Sequence, residues 1–288
     1  MSTLSQNTAT DILVRHMDFE FDDSIPKYWF GNDPVSTMLM SALSAVFPEG
    51  EMGFVRSVRH YQSKINDPKL RAEVRAFIGQ EAHHGKEHRG LNELMDRKGL
   101  PIEKISEAVR RNTLLQEKNF SPARMLANTC ALEHFTALFA ERLLEDPSFL
   151  DGMDERLKPL WLWHAIEESE HKSVAFDVYQ NQVNNYWVRT SQMALITFFF
   201  SLFTTLHTIE LLTADKQLTN LKSMRSGAQK LLGKNGFLRG MLPKYLAYYK
   251  PSFHPSKHHA DHLRQRGIEM LRHYIGEKAM GNDAKLAS

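Results

Sequence analysis

Two copies of a Glu-x-x-His pattern, Glu81 with His84 and Glu168 with His171, constrain the fold of this chain more than any other feature. On an α-helix, residues three positions apart lie on one face, so each pair can hold one metal ion. One such pair is common by chance, whereas two pairs on long amphipathic helices are not. The pattern therefore predicts two helices that face each other across a metal site.

The segment 68–97 is predicted to form a long helix, because apolar and metal-binding side chains recur along it at spacings of three and four. This stripe should face a bundle core and comprises Leu70, Val74, Phe77, Glu81, His84, His88, Leu91 and Met95. His88 lies beside the Glu-x-x-His pair, so a third ligand and a hydrogen-bonded core histidine are equally supported. His83 and Glu87 point away from the stripe and are predicted to lie at the surface.

The second pair lies on a predicted helix from Asp154 to about Val183. Its stripe comprises Leu157, Trp161, His164, Glu168, His171, Ala175 and Val178. Because His164 precedes Glu168 by four residues, it lies on the same face and is a further candidate ligand. Glu167 flanks the stripe and is expected to be a solvated charge; the alternative is a hydrogen-bond partner of a metal-bound imidazole.

Glu51 is a single carboxylate on another predicted helix, over 51–65. The residues Pro48-Glu49-Gly50 are expected to interrupt or kink the chain before it, after a helix that begins near Pro34. A carboxylate on a buried face is costly unless it binds a metal or a partner, which favours a ligand role. The alternative for Glu51 is a favourable position at the positive end of the helix dipole.

Glu133 is the fourth carboxylate, in the middle of the stripe of a predicted helix over 121–144, and Glu141 is the alternative to it. A connecting helix, predicted over 101–119, can return the chain across the bundle. In each half of the chain a lone glutamate precedes a Glu-x-x-His pair. The chain is therefore predicted to form two helical hairpins that share one site.

Four parts of the chain are predicted. An irregular N-terminal arm covers residues 1–33, and the helical bundle with the metal site covers residues 34–185. Residues 186–214 form an apolar fifth helix, predicted to be buried or to be a dimer interface; the alternatives are contact with a membrane surface and the lining of a site for a lipid-like substrate. Residues 215–288 form a basic helical extension, with 14 Lys and Arg against 5 Asp and Glu, that is expected to be solvated.

Composition limits the classes of protein to which the chain can belong. Hydrophobic residues make up 42% of it, which excludes a mainly disordered protein. The single cysteine, Cys130, excludes an internal disulfide, and the polar N-terminus does not resemble a signal peptide, so a cytoplasmic location is expected. No basic motif interleaved with aromatic residues is present, and no nucleic-acid partner is expected.

Four carboxylates and at least two histidines supply hard and borderline ligands and enough negative charge for two divalent ions. This set suits two iron ions, with manganese or zinc as alternatives, better than it suits a tetrahedral zinc site. Two kinds of reaction can use such a pair. Two ferrous ions can bind and reduce O2; alternatively, one ion lowers the pKa of water while the other polarises a substrate for hydrolysis.

The candidate ligands resemble those of the ferritin-like di-iron carboxylate superfamily, in which Glu-x-x-His from two helices joins a lone Glu from two others. More narrowly, the chain is similar to a bacterial family of predicted metal-dependent hydrolases. That similarity is carried by Phe47-Pro48-Glu49-Gly50-Glu51, Gln80-Glu81-Ala82-His83-His84, Glu133-His134 and Tyr249-Lys250-Pro251-Ser252-Phe253-His254-Pro255. The spacing of His164, Glu168 and His171 is also similar to di-iron arylamine N-oxygenases, which implies that His164 is an additional ligand. His88 has no counterpart in that pattern.

The sequence thus predicts an all-α protein with a ferritin-like four-helix bundle, additional helices and a C-terminal extension. Its expected function is O2 activation by a di-iron centre, for oxidation or oxygenation of a small substrate, of which an apolar molecule is one option. The alternative is a metal-dependent hydrolase that uses a hydroxide bound by two metals. Expected partners are the substrate, O2, an electron donor and a second copy in a homodimer, with a membrane surface as a further option. The predicted metal-binding residues are Glu51, Glu81, His84, Glu133, His164, Glu168, His171 and His88.

Overall fold

The computed structural model describes residues 10, 12–257 and 261–276, and this part of the chain is all-α, as predicted. It contains one isolated β-bridge, between Phe30 and Met153, and no strand. The outer ends of the predicted arm and extension, residues 1–9 and 277–288, lie outside the described residues. The helices are α1 (Pro34–Gln62), α2 (Pro68–Arg97), α3 (Ile102–Asn119), α4 (Pro122–Glu145), α5 (Lys158–His171), α6 (Val174–Gln182), α7 (Tyr186–Ala214), α8 (Leu221–Leu232), α9 (Met241–Ala247) and α10 (Asp261–Ile275).

Helices α1, α2, α4 and α5 enclose the centre of the molecule. α1 packs along α2, α4 packs along α5, and the two pairs meet where α1 contacts α4 and α2 contacts α5. Along α2, Phe77 belongs to one apolar cluster and Leu91 to another. The buried residues of α2 between these two are mostly polar. The bundle therefore contains a polar layer between two apolar cores.

Three of these helices begin with the same local device, a capping side chain followed by proline. In each, the side-chain oxygen of the capping residue, which directly precedes the helix, accepts a hydrogen bond from a backbone N–H of the first turn. Proline suits the next position, because its fixed φ fits a helix and its missing N–H would have no partner there. The pairs are Asp33-Pro34, Asp67-Pro68 and Ser121-Pro122, and the start predicted near Pro34 is confirmed.

Helix α1 is continuous through Pro48, so the predicted interruption at Pro48-Glu49-Gly50 is wrong, whereas the predicted alternative, a kink, stays a prediction. A proline inside a helix leaves the carbonyl four residues earlier, here that of Ser44, without its N–H partner. Asn92 of α2 supplies the missing donor, because its Nδ2 lies 3.0 Å from the Ser44 carbonyl oxygen. A side chain of the neighbouring helix thus makes the internal proline tolerable.

The helix predicted from Asp154 to Val183 is two helices, which corrects that prediction. Asp154 instead forms a turn, in which its carboxylate accepts from the N–H of Arg156, and α5 begins at Lys158 with Pro159 in its first turn. At its other end α5 stops at His171, and α6 begins at Val174. The second Glu-x-x-His pair therefore lies in the last turn of α5.

Helix α7 is not a buried helix, contrary to the first prediction for this segment. One side packs against α1 and α4, whereas the other is exposed, with Phe198 62% and Phe203 42% accessible. An 18-residue window of α7 has a mean hydropathy of 1.6, so the helix is long and apolar enough to cross a membrane, judged by length and composition alone. Its predicted role as a dimer interface remains a prediction.

The C-terminal extension packs on the bundle through a narrow face of each helix, so it is less solvated than expected. Ser223 of α8 accepts from the N–H of Val35 through its Oγ, 3.0 Å away. In α10, a Cβ at Gly267 would lie 2.7 Å from Leu144 Cδ2 and 3.0 Å from Ile166 Cγ1, so the helix packs closely against α4 and α5 at this glycine. The predicted domain limits themselves remain predictions.

Candidate metal centre

The polar layer of the bundle holds all eight predicted metal-binding side chains. Each is at most 5% accessible, although carboxylates and imidazoles are seldom buried without a compensating partner. They come from α1 (Glu51), α2 (Glu81, His84, His88), α4 (Glu133) and α5 (His164, Glu168, His171). The helical spacing read from the sequence therefore does bring them to one place.

Six of these residues form two groups whose nitrogen and oxygen atoms lie within 4.8 Å of one another. The first group is Glu51, His84 and His164, in which His164 Nε2 lies 3.8 Å from Glu51 Oε1. The second is Glu81, Glu168 and His171, in which His171 Nε2 lies 3.4 Å from each of the two carboxylates. Each group has the donors needed to hold one metal ion.

Glu168 connects the two groups. Its Oε1 lies 3.1 Å from His164 Nε2 and 3.7 Å from His84 Nδ1, in the first group, while its Oε2 faces His171. Glu133 belongs to neither group, but its Oε2 lies 3.5 Å from His171 Nε2. The arrangement is one cluster with Glu168 at its centre and Glu133 at the edge nearest His171.

The donor atoms that face this cluster are largely those that lack a hydrogen bond. Buried polar atoms are nearly always hydrogen-bonded, so such a concentration needs a cause. The unpartnered atoms are both carboxylate oxygens of Glu51, Glu81 and Glu133, Oε2 of Glu168, Nδ1 of His84 and Nε2 of His171. Metal ions would satisfy them, and the residues therefore fit a two-metal centre.

Burial sets the protonation of the carboxylates. Loss of hydration, reinforced by neighbouring carboxylates, raises the pKa of Glu51 and Glu81 well above 4.5. Burial also raises the pKa of Glu133, against the attraction of His171. Burial acts in the same direction on Glu168, but the positive charge of neighbouring His171 outweighs it and holds the pKa of Glu168 well below 4.5. Without metal the cluster retains protons that metal binding would displace.

Two of the candidate histidines are oriented by acceptors behind them. His84 Nε2 lies 3.2 Å from Glu167 Oε2, which leaves Nδ1 toward the cluster. His171 Nδ1 lies 2.9 Å from Gln80 Oε1, which leaves Nε2 toward the cluster. Metal-bound imidazoles commonly have such partners, because the second hydrogen bond fixes the tautomer and the ring orientation.

Glu167 is fully buried, so the expectation that it is a solvated charge is wrong. The alternative weighed for it, an acceptor behind an imidazole, matches its contact with His84. Glu87 is also buried and accepts from the N–H of Phe19, 2.9 Å away, rather than lying at the surface as predicted. The N-terminal arm covers this side of α2 and removes it from solvent.

The two ring nitrogens of His88 face hydrogen-bonding side chains rather than the centre of the cluster of candidate metal ligands. Its Nε2 lies 2.9 Å from Nδ1 of His164, and its Nδ1 lies 2.9 Å from Oγ of Ser44. Both ring nitrogens are therefore occupied, and His88 belongs to neither three-residue group. Of the two roles left open by the sequence, the geometry supports the hydrogen-bonded histidine.

The direction of these hydrogen bonds can be derived from Asn92. Its Nδ2 donates to the Ser44 carbonyl, so its Oδ1 is the acceptor 2.8 Å from Ser44 Oγ. The Ser44 hydroxyl proton is used there, so Ser44 Oγ accepts from Nδ1–H of His88. His88 Nε2 must then accept from Nδ1–H of His164, which leaves His164 Nε2 unprotonated toward the cluster. Burial lowers the pKa of His164 to about 4, consistent with this neutral form.

We expect His88→Ala to weaken metal binding about 10- to 100-fold while the helices remain folded, because His164 loses the acceptor that orients it. Metal affinity measured by competition with a chelator tests this, with circular dichroism as the check on folding. His60→Ala, at an exposed histidine of α1, is the matched control and should bind metal like the unmodified protein. Equal affinities for the two variants would contradict the assigned role of His88.

Arg15 of the N-terminal arm was not identified from the sequence, because nothing local distinguishes it from a surface arginine. It is 2% accessible, and its guanidinium contacts Glu167 at 3.2 Å and Glu170 at 2.7 Å. Gln80 Nε2 donates to Glu170 as well, at 2.9 Å. The arm therefore connects the partners of His84 and His171 in one network.

We expect Arg15→Met to lower the free energy of unfolding by about 3–5 kcal/mol, because it leaves Glu167 and Glu170 buried without their cation. Urea unfolding followed by circular dichroism measures the change. Arg110→Met is the control, since Arg110 pairs with Glu107 at the surface and its loss should leave stability unchanged. A loss for Arg15→Met no greater than that for Arg110→Met would contradict the buried network.

Glu141, the alternative carboxylate on α4, lies outside the cluster. Its two oxygens pair with Lys172 at 3.0 Å and with Lys244 at 3.2 Å. Because these lysines stabilise its charged form against the effect of burial, the pKa of Glu141 is lowered. The geometry therefore favours Glu133 over Glu141 as the fourth carboxylate of the site.

A cavity of about 500 Å³ reaches the cluster from the side of α7. His164 and Glu168 form part of its wall, and most of the remaining wall is aliphatic or aromatic, including Phe47, Phe139 and Trp161. The volume lies within the range of about 300–1,000 Å³ that is usual for small-molecule sites. The cluster is thus accessible to a ligand, although its residues are almost completely buried.

Comparison with known proteins gives one family and no individual relative. The sequence pattern of a family described as predicted metal-dependent hydrolase matches residues 13–259. No curated protein and no solved structure matches the chain. The match covers every candidate ligand, the cavity wall and Arg15.

Proposed function

The chain belongs to the family of predicted metal-dependent hydrolases, and on this premise we propose that it is a hydrolase with a two-metal active site in the bundle core. The observation that carries the proposal is the cluster of unpartnered, buried donor atoms on four helices. The two groups, Glu51 with His84 and His164, and Glu81 with Glu168 and His171, would hold one ion each. Glu168 would be shared between them.

The charge of the cluster supports two divalent ions rather than one. Four buried carboxylates carry up to four negative charges, which two divalent ions balance. An imbalance in either direction would leave a buried, uncompensated charge at a cost of several kcal/mol. Oxygen-rich sites of this kind suit iron or manganese, and we propose two iron ions, with manganese or zinc as the alternatives to be tested.

When bound, such a pair of ions supplies Lewis acidity, lowering the pKa of water and polarising the substrate. The residues of the chain then have distinct tasks. His84 and His171 are held in one orientation by Glu167 and Gln80, so that their free nitrogens point at fixed positions. Glu133, at the edge of the cluster and with a raised pKa, can hold a proton on a carboxylate oxygen until the site is loaded.

The second candidate function is O2 activation by the same residues, which is the function first predicted from the sequence. One observation favours it: the cluster opens into a largely apolar cavity, and exclusion of water protects reactive intermediates from side reactions. This function requires two iron ions and an external electron donor. The family description supports hydrolysis more directly, so O2 activation is placed second.

The experiment that separates these functions begins with the metal content of protein produced with iron, manganese and zinc supplied separately. Each preparation is then given a panel of esters, and the ferrous form is exposed to O2 while its absorption is followed. Ester hydrolysis that requires metal, without oxygen uptake, supports the hydrolase. Oxygen uptake with a transient absorption band and no hydrolysis supports the second function. Absence of bound metal in every preparation would contradict both.

We retain the homodimer, the cytoplasmic location and membrane-surface contact as proposals that do not depend on the metal centre. The exposed apolar side of α7 supports either of the two contacts, since it presents Phe198 and Leu202 to solvent. Analytical ultracentrifugation tests the homodimer, and flotation with phospholipid vesicles tests the membrane contact.

A further inference from the structure

The cavity beside the cluster has a wall that provides little for a polar ligand to bind. Among the described residues, the charged or ionisable side chains of its wall at neutral pH are His164 and Glu168, both members of the candidate metal groups, and no described Lys, Arg or Asp lines it. A charged group elsewhere in the cavity would be removed from water without a partner. The part of a ligand that fills the cavity must therefore be uncharged.

The hydroxyl groups of the wall are largely satisfied by other protein atoms. Thr197 Oγ1 donates to the Met193 carbonyl at 2.7 Å, and Thr205 Oγ1 donates to the Ser201 carbonyl at 2.8 Å. These threonines use their hydroxyls within α7 and can offer the cavity their methyl groups. A sugar or a nucleotide, which needs many directed hydrogen bonds, does not fit such a wall.

The cavity connects solvent with the cluster. Ser201 and Thr205 of α7 belong to its wall and are themselves exposed, so it opens beside this helix. At the other end Trp161, His164 and Glu168 contribute to the wall on α5. A ligand that fills the space can thus reach the candidate ligands while its other end remains near the surface.

We propose that the substrate of this site carries a long apolar chain, which lies in the cavity while the reactive group lies at His164 and Glu168. This inference rests on the proposed function for the position of the reactive group, whereas binding of the chain depends on the cavity alone. Sequestering an apolar chain from water becomes more favourable with every methylene group buried, which favours long chains strongly over short ones.

Fluorescence quenching by bromine tests the binding of a chain. Trp161 lies in the cavity wall, so a bromine atom carried into the cavity on an alkyl chain quenches its emission. Bromododecanol is the probe and bromoethanol is the short-chain control, both added to the metal-loaded full-length protein. We expect saturable quenching by bromododecanol only, and we expect Trp161→Phe to remove most of it.

Two variants of α7 locate the binding site. Thr204→Phe adds a ring at a position that lines the cavity, whereas Leu202→Phe adds one at an exposed position outside its wall. We expect Thr204→Phe to weaken bromododecanol binding at least about tenfold, equivalent to about 1.4 kcal/mol, and Leu202→Phe to leave it unchanged. Ser201→Phe, at the exposed end of the wall, provides a second test if Thr204→Phe does not fold.

The outcomes separate this inference from the proposed function, because metal content is measured in the same samples. Quenching that neither Thr204→Phe nor Ser201→Phe weakens, or that is equal for bromododecanol and bromoethanol, would overturn the inference whether or not metal is bound. Selective quenching in protein that has taken up no iron, manganese or zinc when each was supplied would support the cavity assignment and contradict the proposed function. Selective quenching with two metal ions per chain would support both.

Discussion

Glu168→Ala is expected to abolish stable binding of the metal pair, with a loss of affinity greater than the 10- to 100-fold typical of changes behind a metal ligand. Among the described residues, Glu168 contacts all three histidines of the two groups, His84, His164 and His171. Glu81 also contacts a histidine of each group, His84 at 3.7 Å and His171 at 3.4 Å, but it does not contact His164 in this way. Removal of Glu168 therefore affects both ions, whereas loss of Glu51 removes a donor from one group only. Hydrolysis should fall with metal content.

Metal per chain, determined by elemental analysis after gel filtration, is the direct measurement. Glu168→Gln keeps the shape of the side chain and tests whether charge or bulk is responsible; it should also lose metal. Glu141→Gln is the matched control, because Glu141 is equally buried on a bundle helix but pairs with lysines outside the cluster. Retention of two ions per chain by Glu168→Ala would contradict the shared position of Glu168.

Removal of metal is expected to make stability depend on pH in a way that the loaded protein does not. Burial lowers the pKa of His84 and of His171. The neighbouring carboxylates, chiefly Glu167 for His84 and Glu168 for His171, outweigh burial and raise both pKa values above 6.5 in the folded protein. The folded state then binds more protons than the unfolded state above pH 6.5, so stability falls as pH rises through the raised pKa values. The buried carboxylates with raised pKa, such as Glu51, act in the same direction.

Histidines with a lowered pKa oppose this trend only near pH 6.5, and their effect fades as pH rises. The pKa values of His88 and His164 are lowered in the folded protein, so these residues destabilise the folded state only at lower pH, where their unfolded forms gain protons. Glu168, with its lowered pKa, contributes only below about pH 4.5. Between pH 6.5 and about 8, the remaining contributions of the cluster therefore share one sign.

Thermal unfolding of metal-free and metal-loaded protein across this interval tests the expectation. We expect the Tm of the metal-free protein to fall by about 2–4 °C for each kcal/mol lost, as for domains of about 150–250 residues. The loaded protein should not show this fall, because its ligands are already deprotonated and metal affinity rises with pH. Parallel pH dependence in both forms would show that the cluster does not retain protons in the absence of metal.

Much of the candidate site could be predicted from the sequence because helical periodicity is local. The positions of Glu81, His84 and Glu133 within their stripes were sufficient to place them on the inner faces of α2 and α4. The all-α class follows from the same periodicity. The ferritin-like superfamily and the metal identity remain predictions, since no solved structure matches the chain.

The residues behind the site could not be predicted, because their roles depend on contacts between distant segments. Arg15 contacts Glu167 across 152 positions of sequence, and neither residue has a local pattern that reveals the other. The exposure of α7 was also missed, since an uncharged apolar helix has the same sequence pattern whether it is buried or faces solvent. The break after His171 similarly has no marker such as proline or glycine at residues 172 and 173.

Pro48 of α1 lacks a backbone N–H, and this missing donor influences which imidazole nitrogen of His164 on α5 carries the proton. Since Pro48 cannot donate, Ser44 retains an open carbonyl that fixes the amide of Asn92. That orientation propagates through Ser44 and His88 to the imidazole of His164. The internal proline of α1 therefore determines which tautomer His164 of α5 adopts. Selection on residue 48 would then act on metal chemistry as well as on helix geometry.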